Sequence, residues 1–76
     1  MIVLHFRRIS PGNYISECKT YSIRCSSYPP EWSVYRRDEG GNLHLIGVRT
    51  LLCLAKTCAA EYESVKRSFD YVYLQH

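Results

Sequence analysis

The chain has 76 residues, of which 46% are hydrophobic, and ten Lys and Arg against seven Asp and Glu give a net charge of +3. This length allows one domain, residues 1–76, and the hydrophobic content excludes an intrinsically disordered chain. No segment approaches the ~18 consecutive apolar residues that a membrane span needs, so we expect no membrane partner.

The first predicted element is a strand over residues 2–7, because the stretch MIVLHFR alternates and is rich in residues that favour strands. Ile2, Leu4 and Phe6 would share one face of this strand. The apolar residues precede the arginines, which is the reverse of the order in a secretory signal. We therefore expect a cytoplasmic protein.

A turn is predicted at residues 10–13, where the stretch SPGN combines three residue types that favour turns. Residues 14–27 then contain one strand or two. The alternation is clearest over residues 20–26, where Tyr21 and Ile23 share one face with Cys25.

A β-hairpin is predicted next. The prolines at residues 29 and 30 interrupt the strand pattern, because proline cannot donate to a β-ladder. Residues 32–37 and 42–47 then read as two strands that flank the stretch DEGGN, and such glycine-containing turns are typical of hairpins.

The hydrophobic period then changes to that of a helix, which we expect to run from about residue 51 to residue 67. Thr50 is in place to act as its N-cap. Residues 70–74, DYVYL, are rich in strand-favouring residues and are interpreted as either a last short strand or a terminal tail. The apolar stripe, at steps of four and three residues, consists of Leu51, Ala55, Cys58, Tyr62, Val65 and Phe69.

These elements predict an α+β domain. A single amphipathic helix buries its apolar stripe only if a sheet covers it. We therefore expect an antiparallel sheet of three to four strands with one long amphipathic helix packed on one face.

The other face of such a sheet is open. Trp32 and Val34 are expected on the helix side with Tyr21 and Ile23, so that the alternate residues of both strands lie on the open side. The open side then carries a cationic and aromatic patch, which His44 joins from the following strand: Arg24, Tyr35, Arg37 and His44.

Three interpretations of this patch stay open. Aromatic rings can stack on unpaired bases while arginines hold phosphate, or strands can enter a major groove. The same residues suit a protein-binding surface, since aromatic residues and arginine are enriched in interfaces. A solvated sheet face also carries polar residues whose long stems cover apolar surface.

The four cysteines are at positions 18, 25, 53 and 58. Two disulfides would need an oxidising compartment, and structural zinc prefers ligand pairs separated by two to four residues, which these cysteines do not form as a set. Cys53 and Cys58 lie on different faces of the predicted helix. We therefore expect reduced thiols that act as small core residues, with no metal and no cofactor.

We searched the sequence for the common motifs of enzymes. It contains no dinucleotide-binding fingerprint, no Walker loop and no H-E-x-x-H motif. A Cys25–His44 nucleophile pair across the sheet is conceivable, but Cys25 is expected to point toward the core. We predict that the protein is not an enzyme.

The order of strand, hairpin and GVRTLLCLAKTCAAE over residues 20–62 resembles small accessory proteins of phages and prophages, in which a short meander ends in a threonine-capped helix. This resemblance implies a small binding protein, such as an anti-defence inhibitor or a modulator of a host nucleic-acid enzyme. The chain also resembles the DNA-binding arm of phage-type integrases, although it has fewer lysines and no catalytic domain.

Two functional hypotheses follow. The first is a non-enzymatic binding protein that inhibits or modulates a host protein. The second is a small nucleic-acid-binding protein that uses Arg24, Tyr35 and Arg37. We expect a homodimer in either case, because a small sheet with open edges gains from pairing.

Overall fold

The computed structural model describes residues 3–26 and 29–74, with side chains described as far as residue 67. One antiparallel sheet has its strands in chain order, and the helix packs on one face of it, mainly on the fourth and fifth strands and less on the third. The α+β prediction is confirmed, with five strands where three to four were expected. The elements are β1 (Phe6–Ser10), β2 (Asn13–Ser16), β3 (Tyr21–Cys25), β4 (Trp32–Arg37), β5 (Leu43–Arg49) and α1 (Leu52–Leu74).

The N-terminal strand lies further along the chain than predicted. It begins at Phe6 rather than at residue 2, and Ile2 lies outside the described residues. The tight turn needs only Pro11 and Gly12, because Gly12 adopts a positive φ of 77° that reverses the chain at once. Asn13 therefore opens a second short strand instead of completing the turn.

The β4–β5 hairpin sets which residues share a face. Arg37 pairs with Leu43 across a five-residue connection, and Tyr35 pairs with Leu45. The register then shifts by one residue, so that Val34 pairs with Gly47 and Ile46 is the extra residue of a β-bulge.

The core is small. Tyr21, Ile23 and Val34 of the sheet are fully buried, as predicted for the helix side. Trp32 is half-buried and packs against this core. The buried residues of α1 have small side chains, which allows the helix to lie close to the sheet; they are Ala55, Cys58 and Ala59.

The predicted helix stripe was correct for Ala55 and Cys58, which are buried, and wrong for other residues. Leu51, Tyr62 and Val65 are exposed, and the side chain of Phe69 lies outside the described part. The helix is rotated so that its alanines meet the large sheet residues, which fill most of the layer between helix and sheet.

Both ends of α1 also differ from the prediction. The carbonyl of Leu51 accepts the first helical hydrogen bond from the amide of Ala55, so Leu51 occupies the N-cap position and Thr50 precedes it. Residues 70–74 continue the helix rather than form a strand, since no glycine or proline interrupts it. Within the described residues, no helix combines the length and the apolar character required to cross a membrane.

Candidate functional site

The sheet face opposite α1, called the open face below, is built by alternate residues of all five strands. The registers place one row of side chains across it, in the order Arg7, Ile15, Ser22, Tyr35 and Leu45. Neighbouring pairs put Arg24 beside Ser33 and Arg37 beside Leu43 on the same face. The structure therefore brings Arg24, Tyr35 and Arg37 onto one surface.

Arg24 and Tyr35 form the centre of this surface. The guanidinium carbon of Arg24 lies 5.7 Å from the centroid of the Tyr35 ring, within the range of a cation–π contact. Arg24 is exposed and Tyr35 is half-buried. The ring is thus held by its neighbours while the cation above it stays accessible, which is the arrangement of a preorganised recognition group.

Apolar side chains adjoin this pair on β5. Leu45, opposite Tyr35, is 58% exposed, and Leu43, opposite Arg37, is also exposed. Val48 continues the apolar run on the same face. We name the group Arg24, Tyr35, Arg37, Leu43 and Leu45 the open-face patch.

His44 lies on the other face of the sheet. It pairs with Arg36, whose neighbour Val34 is buried beneath the helix, so the predicted grouping of His44 with Arg24, Tyr35 and Arg37 was wrong. Its Nε2 is 2.7 Å from Oδ2 of Asp38, at the start of the hairpin connection. The hydrogen bond from His44, followed by that from the Asn42 amide, lowers the pKa of the Asp38 carboxyl.

A second polar group joins the sheet to the helix. The hydroxyl of Tyr21 donates to Oε2 of Glu63, and Nε of Arg67 donates to Oε1 of Glu63 at 3.0 Å. Burial, reinforced by the Glu63 carboxylate, raises the pKa of Tyr21 above its ordinary value. The phenol therefore stays protonated and donates a hydrogen bond, which suits a structural link better than a general base.

Arg36 lies beside this link. Its Nε is buried and has no hydrogen-bond partner among the described residues, while its charge acts on both Tyr21 and Glu63. The guanidinium thus helps to balance the Glu63 carboxylate within the fold.

A cleft of about 510 Å³ lies between α1 and the N-terminal residues Val3 and Leu4. Lys56 and Glu61 are the charged residues of its lining. The ammonium of Lys56 already lies 5.4 Å from the centroid of the Tyr14 ring. The cleft therefore offers a weaker set of convergent polar groups than the open face does.

The four thiols are free in this structure. Cys58 is buried in the core, as expected, whereas Cys18 and Cys53 are exposed and Cys25 is half-buried. The described residues contain no group of three or more His, Cys, Asp or Glu side chains that could hold a metal ion.

The conceivable Cys25–His44 pair is not formed. Cys25 pairs with Trp32 and His44 with Arg36, and these β4 positions are four residues apart. That spacing separates the two side chains by roughly 13 Å along the strand direction alone.

Sequence reasoning missed Leu43 and Leu45 as members of the surface. The length of the connection, residues 38–42, could have indicated them. It makes Arg37 pair with Leu43, so Leu43 and Leu45 lie on the same face of the sheet as Arg37.

Comparisons of the chain with protein-family models, with curated proteins and with solved structures found no match in any of the three. The function is therefore inferred from the chemistry of the open face.

Proposed function

We propose that the protein is a non-enzymatic binding module that engages another protein through the open-face patch. The observation that carries this proposal is the stacked Arg24–Tyr35 pair beside the exposed Leu43 and Leu45. Aromatic residues and arginine are enriched in protein interfaces, and an apolar group at their margin favours a protein over a nucleic acid.

The charge of the patch indicates the chemistry of the partner. Arg24 and Arg37 are both exposed, and the chain has a net charge of +3. A partner surface with carboxylates around an apolar centre would pair with the arginines in bidentate geometry and cover the leucines. In keeping with the phage-protein resemblance, we propose a host defence protein or nucleic-acid enzyme as the partner, with inhibition or modulation as the outcome.

A second candidate function is binding of single-stranded nucleic acid. The same Arg24–Tyr35 pair favours it, because a tyrosine can stack on a base while the arginines contact phosphate. Phosphate contacts would make the affinity fall steeply with salt concentration.

One pair of variants separates the two functions. Arg24→Ala with Arg37→Ala removes charge that both partners would use, so binding should weaken at least about tenfold in either case. Leu45→Lys buries a cation in a protein interface but adds a phosphate contact to a nucleic-acid surface. We therefore expect Leu45→Lys to abolish protein binding and to preserve or strengthen nucleic-acid binding.

The measurement has two arms. Immobilised wild-type chain and variants are exposed to host lysate, and labelled single- and double-stranded DNA and RNA are titrated at low and physiological salt. Lys56→Ala, on the opposite side of the molecule, is the matched control. A protein retained by wild type and Lys56→Ala but lost from both patch variants supports the proposal, and its affinity is then measured with purified partner.

Two outcomes would contradict it. Retention of the same proteins by wild type and the patch variants would show that the open face is not the binding surface. Salt-sensitive nucleic-acid binding that survives Leu45→Lys would instead favour the second function.

A further inference from the structure

The flank of α1 beside β5 carries an exposed apolar stripe. Leu51, directly before the helix, is 56% exposed, Leu54 is 45% exposed and Val65 is 69% exposed. Their spacing of three and eleven residues keeps these side chains on one side of the helix. Tyr62 borders this stripe, and its ring packs edge-on against Tyr21 of β3. Such a stripe of large side chains contrasts with the alanines that α1 buries.

Two contacts establish which way this flank points. Cys58, which borders the stripe, lies against Gly47 of β5, since a Cβ added to that glycine would come within 2.7 Å of the Cys58 Sγ. Lys56, on the opposite flank, lies over Tyr14 of β2. The stripe therefore lies above the β5 margin of the sheet.

β5 is also a sheet edge that pairs only with β4 among the described strands. It is the longest strand, and His44 is the only titratable residue between Leu43 and Val48. The other edge, β1, carries Arg7 and Arg8 and is shorter. Charged side chains protect β1 from edge-to-edge pairing, and β5 lacks that protection over most of its length.

We propose that two copies of the chain associate through this margin, with β5 beside β5 of the second copy and the two α1 stripes in contact. Antiparallel pairing of identical strands requires a twofold axis perpendicular to the sheet, which keeps both helices on the same face.

Strand spacing shows that the two helices would meet. α1 packs mainly on β4 and β5 and less extensively on β3, so its axis lies between about half a strand spacing and one spacing inside β5. The twofold axis lies half a spacing outside β5. With strands ~4.8 Å apart, the two helix axes are about 10–14 Å apart, so the large side chains of the two stripes must make the contact between the helices.

The size of the exposed surface at the β5 margin is compatible with contact by a second copy of the chain. From their exposed fractions, the stripe residues present roughly 300 Å² of surface, at the lower end of the sizes at which a patch on a monomer indicates an interaction site. A standard interface buries ~800 Å² on each partner, and the main chain of β5 supplies much of the difference. The bulge at Ile46 limits regular strand pairing, so the helices must contribute substantially.

The dimer leaves both open faces accessible and extends them into one continuous surface. Its formation does not depend on the proposed function, because the measurement uses the chain without any partner.

The test is the solution mass of the full chain in reducing buffer, measured by sedimentation equilibrium. We expect wild type to have twice the 8.9 kDa of one chain at micromolar to millimolar concentrations. Leu51→Asp combined with Val65→Lys should weaken dimerisation at least about thirtyfold, because both place charge in the apolar contact. Leu51→Asp also supplies an acidic N-cap that α1 lacks, so loss of the dimer should occur without loss of helix content.

Ile9→Lys, at an equally exposed apolar site on β1, is the matched control and should leave the dimer intact. Amide hydrogen exchange provides a second readout, in which β5 amides are slower in wild type than in the double variant. A wild-type chain that stays monomeric, or a dimer that survives Leu51→Asp with Val65→Lys, would overturn the proposal.

Discussion

Gly47 lies at a close approach of the helix to the sheet. A Cβ at this position would lie 2.7 Å from the Sγ of Cys58 and 3.2 Å from Nη1 of Arg49. The backbone there needs no positive φ, so the demand for glycine comes from space alone. Gly47→Ala should therefore lower the free energy of unfolding by about 1–3 kcal/mol through overpacking, measured by urea denaturation.

A double-mutant cycle with Cys58→Ala identifies the cause. Removing the sulfur makes room for the new methyl group, so Gly47→Ala should cost at least about 1 kcal/mol less in the Cys58→Ala background. An equal cost in both backgrounds would mean that contact with Cys58 is not the reason for glycine at this position.

The β2–β3 connection contains a local conflict between residue and conformation. Lys19 has a φ of 63°, in the left-handed region that side chains with a Cβ disfavour. Its amide donates to the carbonyl of Ser16 at 2.9 Å, which holds the turn in this geometry. The backbone strain at Lys19 therefore results from the geometry of the β2–β3 turn.

Lys19→Gly should relieve this strain. We expect a gain in the free energy of unfolding of about 0.5–1 kcal/mol, or a few degrees in Tm, after the greater freedom of glycine in the unfolded chain is subtracted. Lys19→Ala removes the same side chain but keeps the Cβ, so thermal unfolding of Lys19→Ala should show no such gain. Equal Tm values for the two variants would refute the explanation.

At the element scale, the hydrophobic periodicity of the sequence was sufficient to predict which strand residues are buried, but not which face of the helix is buried. Alternation placed Tyr21, Ile23 and Val34 in the core because a strand has only two faces. A helix can rotate continuously, and the predicted stripe was only partly buried, because Ala55 and Cys58 lie in the core whereas its larger members Leu51, Tyr62 and Val65 are exposed. The alanines are buried because the sheet contributes the large side chains of this layer.

The candidate site, like the fold, could be predicted only in part from alternation. The common face of Arg24, Tyr35 and Arg37 could be predicted from alternation within two strands. Predicting the faces of Leu45 and His44 required the register of the β4–β5 hairpin, because a shift of one residue moves every side chain of a strand to the opposite face. Alternation therefore predicted which residues of one strand share the open face, but not which residues of β5 join those of β4.

For the whole molecule, the Tyr21–Glu63 hydrogen bond connects the sheet to the helix across 42 positions of the chain. Partial burial acts to raise the pKa of Glu63, but the hydrogen bonds from Tyr21 and Arg67 outweigh it, so that pKa lies below its usual 4.5. The folded state therefore holds the Glu63 carboxylate more strongly than the unfolded state does.

This difference makes stability depend on pH in a defined direction. Because the folded pKa of Glu63 is lowered, its contribution is complete above the unfolded value of 4.5 and is lost as pH falls through the folded value. Glu63→Gln keeps the size of the side chain but cannot ionise. The free energy of unfolding of wild type should exceed that of Glu63→Gln at pH 7, and the difference should shrink below pH 4.5.

Denaturant unfolding of both proteins between pH 7 and pH 3 measures this difference directly. Glu61→Gln is the matched control, since Glu61 is an exposed glutamate two residues away on α1, and its curve should stay parallel to that of wild type. Tyr21→Phe provides an independent check. Removing a hydrogen bond to a charged group should cost about 1.5–3 kcal/mol at neutral pH and less once Glu63 is protonated. Parallel curves for wild type, Glu63→Gln and Tyr21→Phe would mean that this link does not stabilise the packing of α1 on the sheet.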